Sequence, residues 1–128
     1  LARVRIATSL PVQYAALESL RGPQNYIYDF VSEIKKHRDL VVKRLNEMPG
    51  ISCSNPKGAF YAFPKIEDNR FSTDKEFVTK LLESKGVLTV HGSGFGEKYG
   101  SGHFRLVYLP SLEILDSAMN KIQEFVSQ

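Results

Sequence analysis

The stretch GVLTVHGSGFGEKYGSGHFRLVYLP, residues 86–110, organises the rest of the chain. A β-branched segment from Val87 to Val90 predicts a strand that enters a glycine-rich loop. Residues 103–109 predict a second strand, which stops at Pro110. We expect these two strands to pair in antiparallel fashion, with the loop between them.

Arg105 lies in the middle of the second predicted strand. Successive strand residues point to opposite faces, so Arg105 should lie on the face opposite to Phe104, Leu106 and Tyr108. A lone desolvated charge is costly, and the guanidinium should therefore reach water or meet an anion. Two interpretations stay open at this point: a planar fork that binds a ligand's carboxylate, and a structural ion pair with one of the chain's 14 acidic residues.

The glycine-rich loop does not match the known phosphate-binding patterns. A dinucleotide fingerprint would need a third glycine at position 97, which is Glu, and a helix rather than a strand afterwards. A P-loop would need Gly-Lys-Ser/Thr, which is absent. We interpret the loop as a flexible segment over a site, in which glycines permit close approach of a ligand. The candidate site-lining residues are Gly92, Ser93, Gly94 and Phe95.

Two helices are predicted before the first strands. Ser9, as a capping hydroxyl, and Pro11 indicate the start of a short helix that ends at residues 21–23. A long helix should follow from about Gln24 to Met48, with one apolar face at 3–4 spacing and Arg38 in one slot of that face.

The remaining pattern completes an α+β domain. Strands are predicted over 51–54 and 59–63, a helix begins at the capping box of Thr73 and Glu76, and Ser111 caps a last amphipathic helix. We expect a small sheet of about three to four strands with helices packed on one side and a long N-terminal helix. The strands at 59–63 and 87–91 can run parallel through a crossover.

Composition excludes several classes of function. The net charge of +3 is mild, and the basic residues are scattered, which argues against a nucleic-acid surface. No apolar run is long enough to span a membrane. Cys53 is the single cysteine, so no disulfide can form within the chain, and we expect a cytoplasmic protein. The three histidines and Cys53 lack metal-ligand spacing, and no metal site is predicted.

Four separated blocks of the sequence resemble the class I, fold-type I, pyridoxal-phosphate-dependent aminotransferases. They are PVQYAALESLRGP at 11–23, RLNEMPGI at 44–51, NPKGAFYAFPKI at 55–66, and GSGFG followed by GHFRLVYLP. The form with HFR and LP is most similar to the alanine aminotransferase branch. The resemblance implies that residues 1–22 are the end of a large cofactor-binding domain and that 23–128 are the small C-terminal domain.

The resemblance also implies roles for residues. The family's arginine at the position of Arg105 binds the α-carboxylate of the substrate. The Schiff-base lysine and the cofactor-binding residues belong to the large domain, and Lys57 and Lys65 do not match their motif. We therefore expect no catalytic residue in this chain, no specific binding of pyridoxal phosphate to it, and no activity of the chain alone. Arg3 and Arg5 lie near a second, distal-carboxylate arginine of some members, but we assign that role to neither.

The resemblance implies amino-group transfer between an amino acid and 2-oxoglutarate, and we predict alanine as the amino acid. Aspartate or another donor is the alternative within the family. A stand-alone, non-catalytic module that binds a carboxylate or dimerises is the alternative from another class. The expected partners are the substrates and the large domain of the same protein, and the resemblance implies a homodimeric full enzyme.

Overall fold

The computed structural model describes residues 8–128 of the chain. Arg3 and Arg5 therefore lie outside the described residues. The helices are α1 Leu10–Arg21, α2 Asn25–Asn46, α3 Asp74–Lys85, α4 Glu97–Gly100 and α5 Leu112–Val126, and the strands are β1 Ile51–Ser52, β2 Tyr61–Ala62, β3 Lys65–Ile66, β4 Val90–His91 and β5 Phe104–Val107. The chain divides into two compact units between Ser32 and Glu33.

The first unit consists of α1 and the first turns of α2. The predicted bounds of α1 are confirmed, with Pro11 in its first turn, but the predicted role of the Ser9 hydroxyl is wrong. The backbone carbonyl of Ser9, not its side chain, accepts the N–H groups of Val12 and Gln13. No residue between 8 and 32 is buried, although this segment carries many large apolar side chains.

Helix α2 brings a histidine, not the predicted arginine, into its buried face. Val41 and Leu45 are buried as expected, and His37 occupies the slot that we assigned to Arg38. His37 Nδ1 lies 3.0 Å from the carbonyl oxygen of Tyr108, which satisfies a polar atom in the interior. Arg38 turns instead to the carboxylate of Asp39, because a guanidinium is costly to bury without a partner.

A three-stranded antiparallel sheet in the order β2-β5-β4 forms the centre of the second unit. Tyr61 pairs with Val107, and Val90 pairs with Arg105. The antiparallel pairing of the last two strands is confirmed. Strands β2 and β4 do run in the same direction, but β5 lies between them. All strands are shorter than predicted, and a second, two-stranded sheet of β1 and β3 contains a strand that we did not predict.

Helices α2, α3 and α5 contribute the core that packs on one face of this sheet. Phe104 and Leu106 of β5 and the following Tyr108 are buried, as their alternation predicted. Phe104 packs on Phe77 of α3, with ring centroids 5.0 Å apart. The rest of the core comes from buried apolar residues of α2, β1, β2, α3 and α5: Val41, Leu45, Ile51, Ala62, Val78, Leu81, Leu115, Met119, Ile122, Phe125 and Val126. Residues 8–128 contain no helix whose length and hydropathy would suit it to span a lipid bilayer.

The glycine-rich segment is folded, which corrects the prediction of a flexible loop. Gly92–Phe95 form a 3-10 turn, and α4 follows after Gly96. A Cβ atom on Gly100 would collide with the carbonyl oxygen of Gly92, and one on Gly92 with that of Gly100. These two glycines therefore permit close approach of the chain to itself.

Candidate functional site

Strand β5 presents Arg105 on the face of the sheet opposite to the core. The neighbouring strand β2 adds Tyr61, and the 3-10 turn Gly92–Phe95 adds Phe95. The guanidinium carbon of Arg105 lies 4.6 Å from the centre of the Tyr61 ring and 4.3 Å from that of Phe95. Both distances lie within the range of a cation–π contact, so two rings from different elements lie against the guanidinium.

Two further rings extend this aromatic cluster. Phe63 stacks on the imidazole of His103 with centroids 5.3 Å apart and an interplanar angle of 11°. Phe63 also meets Phe95 edge to face, at 6.1 Å. Tyr61 and Phe95 contact Arg105 directly, and Phe63 and His103 extend the cluster through Phe95.

Arg105 has no carboxylate partner among residues 8–128. Arg38, Arg44 and Arg70 each pair with an aspartate of the chain, whereas Arg105 takes part in no ion pair with a described residue. Its Nε atom is buried and lacks a hydrogen-bond partner within the described part of the chain. A buried donor without a partner is a position that a bound ligand can satisfy. The structural ion pair that we considered from the sequence is therefore absent from residues 8–128.

The four candidate lining residues occupy different places around this site. Phe95 contacts Arg105, while Gly92 is buried against the backbone of Gly100 and His103. Ser93 donates its backbone N–H to Asp74 Oδ2 at 2.5 Å, and Gly94 donates its N–H to His91 Nδ1 at 3.2 Å.

Sequence reasoning missed the aromatic partners of Arg105 and the carboxylate of Asp74. Asp74 is the first residue of α3 and is only 6% exposed. Burial by itself raises the pKa of this carboxyl, but hydrogen bonds from Ser93 and from the backbone N–H of Lys75 bring the pKa below its ordinary value. The capping box starting at Thr73 was visible in the sequence, but nothing there indicated that the next residue would reach the glycine-rich segment.

A groove lies beside this site, and Arg105 is among the residues that line it. It has a volume of about 730 Å³ and lies between residues 86–90, β5 and α5. Its walls are mainly aliphatic, with Val87, Leu88 and Ile114 among them, and the hydroxyl of Thr89 is buried there without a partner. Polar residues of α5, namely Glu113, Ser117 and Lys121, also line the groove.

The lysines and the cysteine of the described residues show no sign of reactive chemistry. No lysine between residues 8 and 128 is buried, and Lys65 pairs with Glu67 at the edge of β3. Burial raises the pKa of the Cys53 thiol, which disfavours the reactive thiolate. His, Cys, Asp and Glu side chains do not gather in groups of three anywhere in residues 8–128.

Comparison with known proteins gives a consistent result. Residues 2–122 match the family profile described as aminotransferase class I and II. A probable aspartate/prephenate aminotransferase of Rhizobium leguminosarum is 41% identical over 93% of this chain, and a glutamate-pyruvate aminotransferase of Haemophilus influenzae is 36% identical over 99%. The solved structure of an alanine aminotransferase from Pyrococcus furiosus superposes with a TM-score of 0.93 over 98% of this chain, at 51% identity. The chain covers only 31–32% of the length of each of these proteins.

Proposed function

This chain belongs to the aminotransferase class I and II family, and we propose that it is the C-terminal, substrate-binding domain of a pyridoxal-phosphate-dependent aminotransferase. The proposal assigns residues 1–22 to the end of a large cofactor-binding domain and residues 23–128 to the small domain. Its support is the match over residues 2–122 together with the coverage of about a third of each relative.

Arg105 is the residue that we assign to the α-carboxylate of the substrate. The observation that carries this assignment is a guanidinium held between the rings of Tyr61 and Phe95 with no ion-pair partner in residues 8–128. The buried Nε donor has no partner among residues 8–128, and two parallel N–H···O bonds from the planar fork would fix the orientation of a carboxylate. A fixed carboxylate in turn orients the Cα–H bond, whose proton is removed in transamination.

The cofactor belongs to the rest of the proposed enzyme, because the described residues do not fit it. Pyridoxal phosphate supplies an electron sink at the amino-acid carbon when it is bound through a lysine. A lysine that does this is usually held in a desolvated site, and residues 8–128 contain no buried lysine. We therefore derive no step from this chain beyond the binding and orientation of the substrate.

The large domain is the proposed partner of the exposed apolar side chains in residues 8–32. They are Leu10, Val12, Tyr14, Leu20, Tyr26, Ile27, Tyr28, Phe30 and Val31, each more than 40% exposed. A cluster of this size on a helical segment marks an interaction surface more often than a free one. Closure of the small domain on the substrate would exclude water. The homodimeric state and the cytoplasmic location stay predictions.

Alanine with 2-oxoglutarate is the substrate pair that we propose. Its support is the 51% identity to a protein described as an alanine aminotransferase. Aspartate is the second candidate, because two relatives at 41% identity are described as a probable aspartate/prephenate aminotransferase and an aspartate aminotransferase. A donor screen of the full-length enzyme at fixed 2-oxoglutarate separates the two, and a higher kcat/KM for L-aspartate than for L-alanine would replace the first assignment with the second.

Substitution of Arg105 by Lys in the full-length enzyme tests the proposed role. The kcat/KM for L-alanine should fall by about 10- to 100-fold, because an ammonium cannot reproduce the bidentate bond and charged hydrogen bonds of this kind are worth that much. L-Alaninamide lacks the carboxylate, so its slow reaction should change little. Steady-state kinetics with both compounds measure the discrimination directly.

Arg44→Lys is the matched control, because Arg44 pairs with Asp116 between α2 and α5 and has no part in the proposed site. This variant should keep the wild-type ratio of L-alanine to L-alaninamide turnover. An Arg105→Lys enzyme with the same ratio as the wild type would refute the assignment of the α-carboxylate to Arg105.

A further inference from the structure

The 3-10 turn Gly92–Phe95 carries one of the two rings that hold Arg105, and it is anchored from outside the sheet. Asp74, at the first position of α3, accepts the backbone N–H of Ser93 through Oδ2 at 2.5 Å. Its other oxygen, Oδ1, accepts the N–H of Lys75 at 3.1 Å. Both carboxylate oxygens are therefore used, one on the helix and one on the turn.

The Phe95 ring has little else to hold it. It is 51% exposed, so burial contributes only part of what a core phenylalanine would gain. Its edge contact with Phe63 is long, with ring centroids 6.1 Å apart. The following residue, Gly96, has a φ of +123°, and a Cβ atom added there would meet no heavy atom within 4 Å. The position of the ring must therefore depend on the backbone of the turn.

His91 gives the turn a second, weaker support. Its Nδ1 accepts the N–H of Gly94 at 3.2 Å and lies 2.9 Å from the hydroxyl of Ser93. Gly92 N–H donates to the carbonyl of His103, at the entrance of β5. Of the side chains that hold the turn, Asp74 is the one that is both charged and buried, and a charge-assisted hydrogen bond is about twice as strong as a neutral one.

We propose that Asp74 is a positioning residue for the carboxylate-binding arginine, and this inference rests on the function proposed above. Asp74 fixes Ser93 and thereby the turn, the turn places the Phe95 ring over the guanidinium, and the ring keeps the fork of Arg105 in the plane that a carboxylate needs. The α3 helix is thus coupled to substrate binding through one buried carboxylate, without any contact between Asp74 and the substrate.

The full-length enzyme with Asp74→Asn or Asp74→Ala tests this chain of contacts. Asparagine keeps the shape of the aspartate side chain but loses its charge and one of its two acceptor oxygens. Alanine removes both acceptors and with them the hydrogen bond to Ser93. For both variants the KM for L-alanine should rise by about two- to fivefold, the size expected for the loss of one cation–π contact with a half-exposed ring, with kcat changed by less than about twofold. The reaction of L-alaninamide, which has no carboxylate for Arg105 to bind, should be unchanged.

A merely structural role would give a different pattern. General loosening of the domain would lower turnover of L-alanine and L-alaninamide together, and that result would overturn the proposal. Phe95→Leu should raise the KM for L-alanine as Asp74→Asn does, and the double variant should show no further rise, because the two residues act in series. Additive effects would equally contradict the proposal.

Two further variants complete the design. Asp116→Asn removes a carboxylate that also links two elements, α5 and α2, and should leave the L-alanine KM at its wild-type value. Arg105→Lys separates the two proposals. If Arg105→Lys loses its preference for the carboxylate and Asp74→Asn does not, the role of Asp74 is wrong while the proposed function stands. If Arg105→Lys keeps that preference, both are wrong.

Discussion

Gly92 and Gly100 bring two parts of the loop's backbone into direct contact, and this contact shapes the segment beside Arg105. A Cβ atom at Gly100 would meet the carbonyl oxygen and carbon of Gly92, and backbone atoms cannot move aside as a flexible side chain would. Neither residue has a positive φ. The need for glycine at these positions is therefore steric, not conformational.

Gly100→Ala should lower the free energy of unfolding of the 128-residue chain by about 1–3 kcal/mol, as overpacking in a close contact does. Gly58→Ala is the control, because a Cβ at Gly58 has no heavy atom within 4 Å and its φ is not positive. That change should be neutral or stabilise the chain by up to about 1 kcal/mol through the unfolded state. Urea denaturation of both variants measures the difference, and equal midpoints would show that the contact between the two glycines is not needed.

At this scale, strand alternation was enough to predict which way Arg105 points, because the period of two is a property of any strand. It could not supply Tyr61 and Phe95, which come from other elements and meet Arg105 only when the sheet has formed. The alternation also could not decide between a structural ion pair and a free guanidinium, since that depends on where the carboxylates of other elements lie.

Helices α3 and α5 begin at side-chain caps of unequal quality. Thr73 Oγ1 accepts the N–H of Glu76 at 3.0 Å, and Glu76 in turn accepts the N–H of Ser72 at 2.8 Å. Ser111 Oγ accepts the N–H of Ile114 at 3.5 Å, beyond the usual range for such a bond. Both caps were predicted from the sequence and are confirmed. Their relative strength follows only from the hydrogen-bond distances in the structure.

Thr73→Ala should therefore cost about 1 kcal/mol of stability, the typical value for a good N-cap. Ser111→Ala should cost clearly less, because its bond is already long. Thermal or urea unfolding of the two variants, followed by far-ultraviolet circular dichroism, gives the order. A larger loss for Ser111→Ala would mean that the difference in geometry does not control the strength of the two caps.

Element existence was predictable where a long periodic pattern or a cap marked it, as for α2 and α5. Element ends were not: α2 stops at Asn46 rather than Met48, and β4 begins at Val90 rather than Val87. His37, not Arg38, lies on the buried face of α2, because its imidazole hydrogen-bonds to the Tyr108 carbonyl in the interior. Arg38 hydrogen-bonds to Asp39 at the surface. Strand β3 was missed because two residues are too few to show a period.

For the molecule as a whole, the apolar core lies entirely in one of the two units. Every buried residue of the described chain falls between His37 and Val126, inside the unit of residues 33–128. Residues 8–32 contribute no buried side chain and expose their apolar ones. Residues 33–128 therefore contain the packing that stabilises the folded chain. Residues 8–32 present an exposed apolar surface, in keeping with their proposed contact with a large domain.

A chain of residues 33–128 should then fold by itself. The truncation removes no buried residue, so we expect a cooperative thermal transition with a midpoint within about 5 °C of that of the 128-residue chain. Residues 49–128 form the control, because this shorter piece also loses Val41, Leu45 and Met48 from the core and should not unfold cooperatively. Near-ultraviolet circular dichroism during heating distinguishes fixed side-chain packing from its loss.

The contrary outcome is that residues 33–128 fail to fold while the 128-residue chain folds. Residues 8–32 would then stabilise the core through contacts that their burial does not reveal, and the division into a stable unit and a docking surface would be wrong.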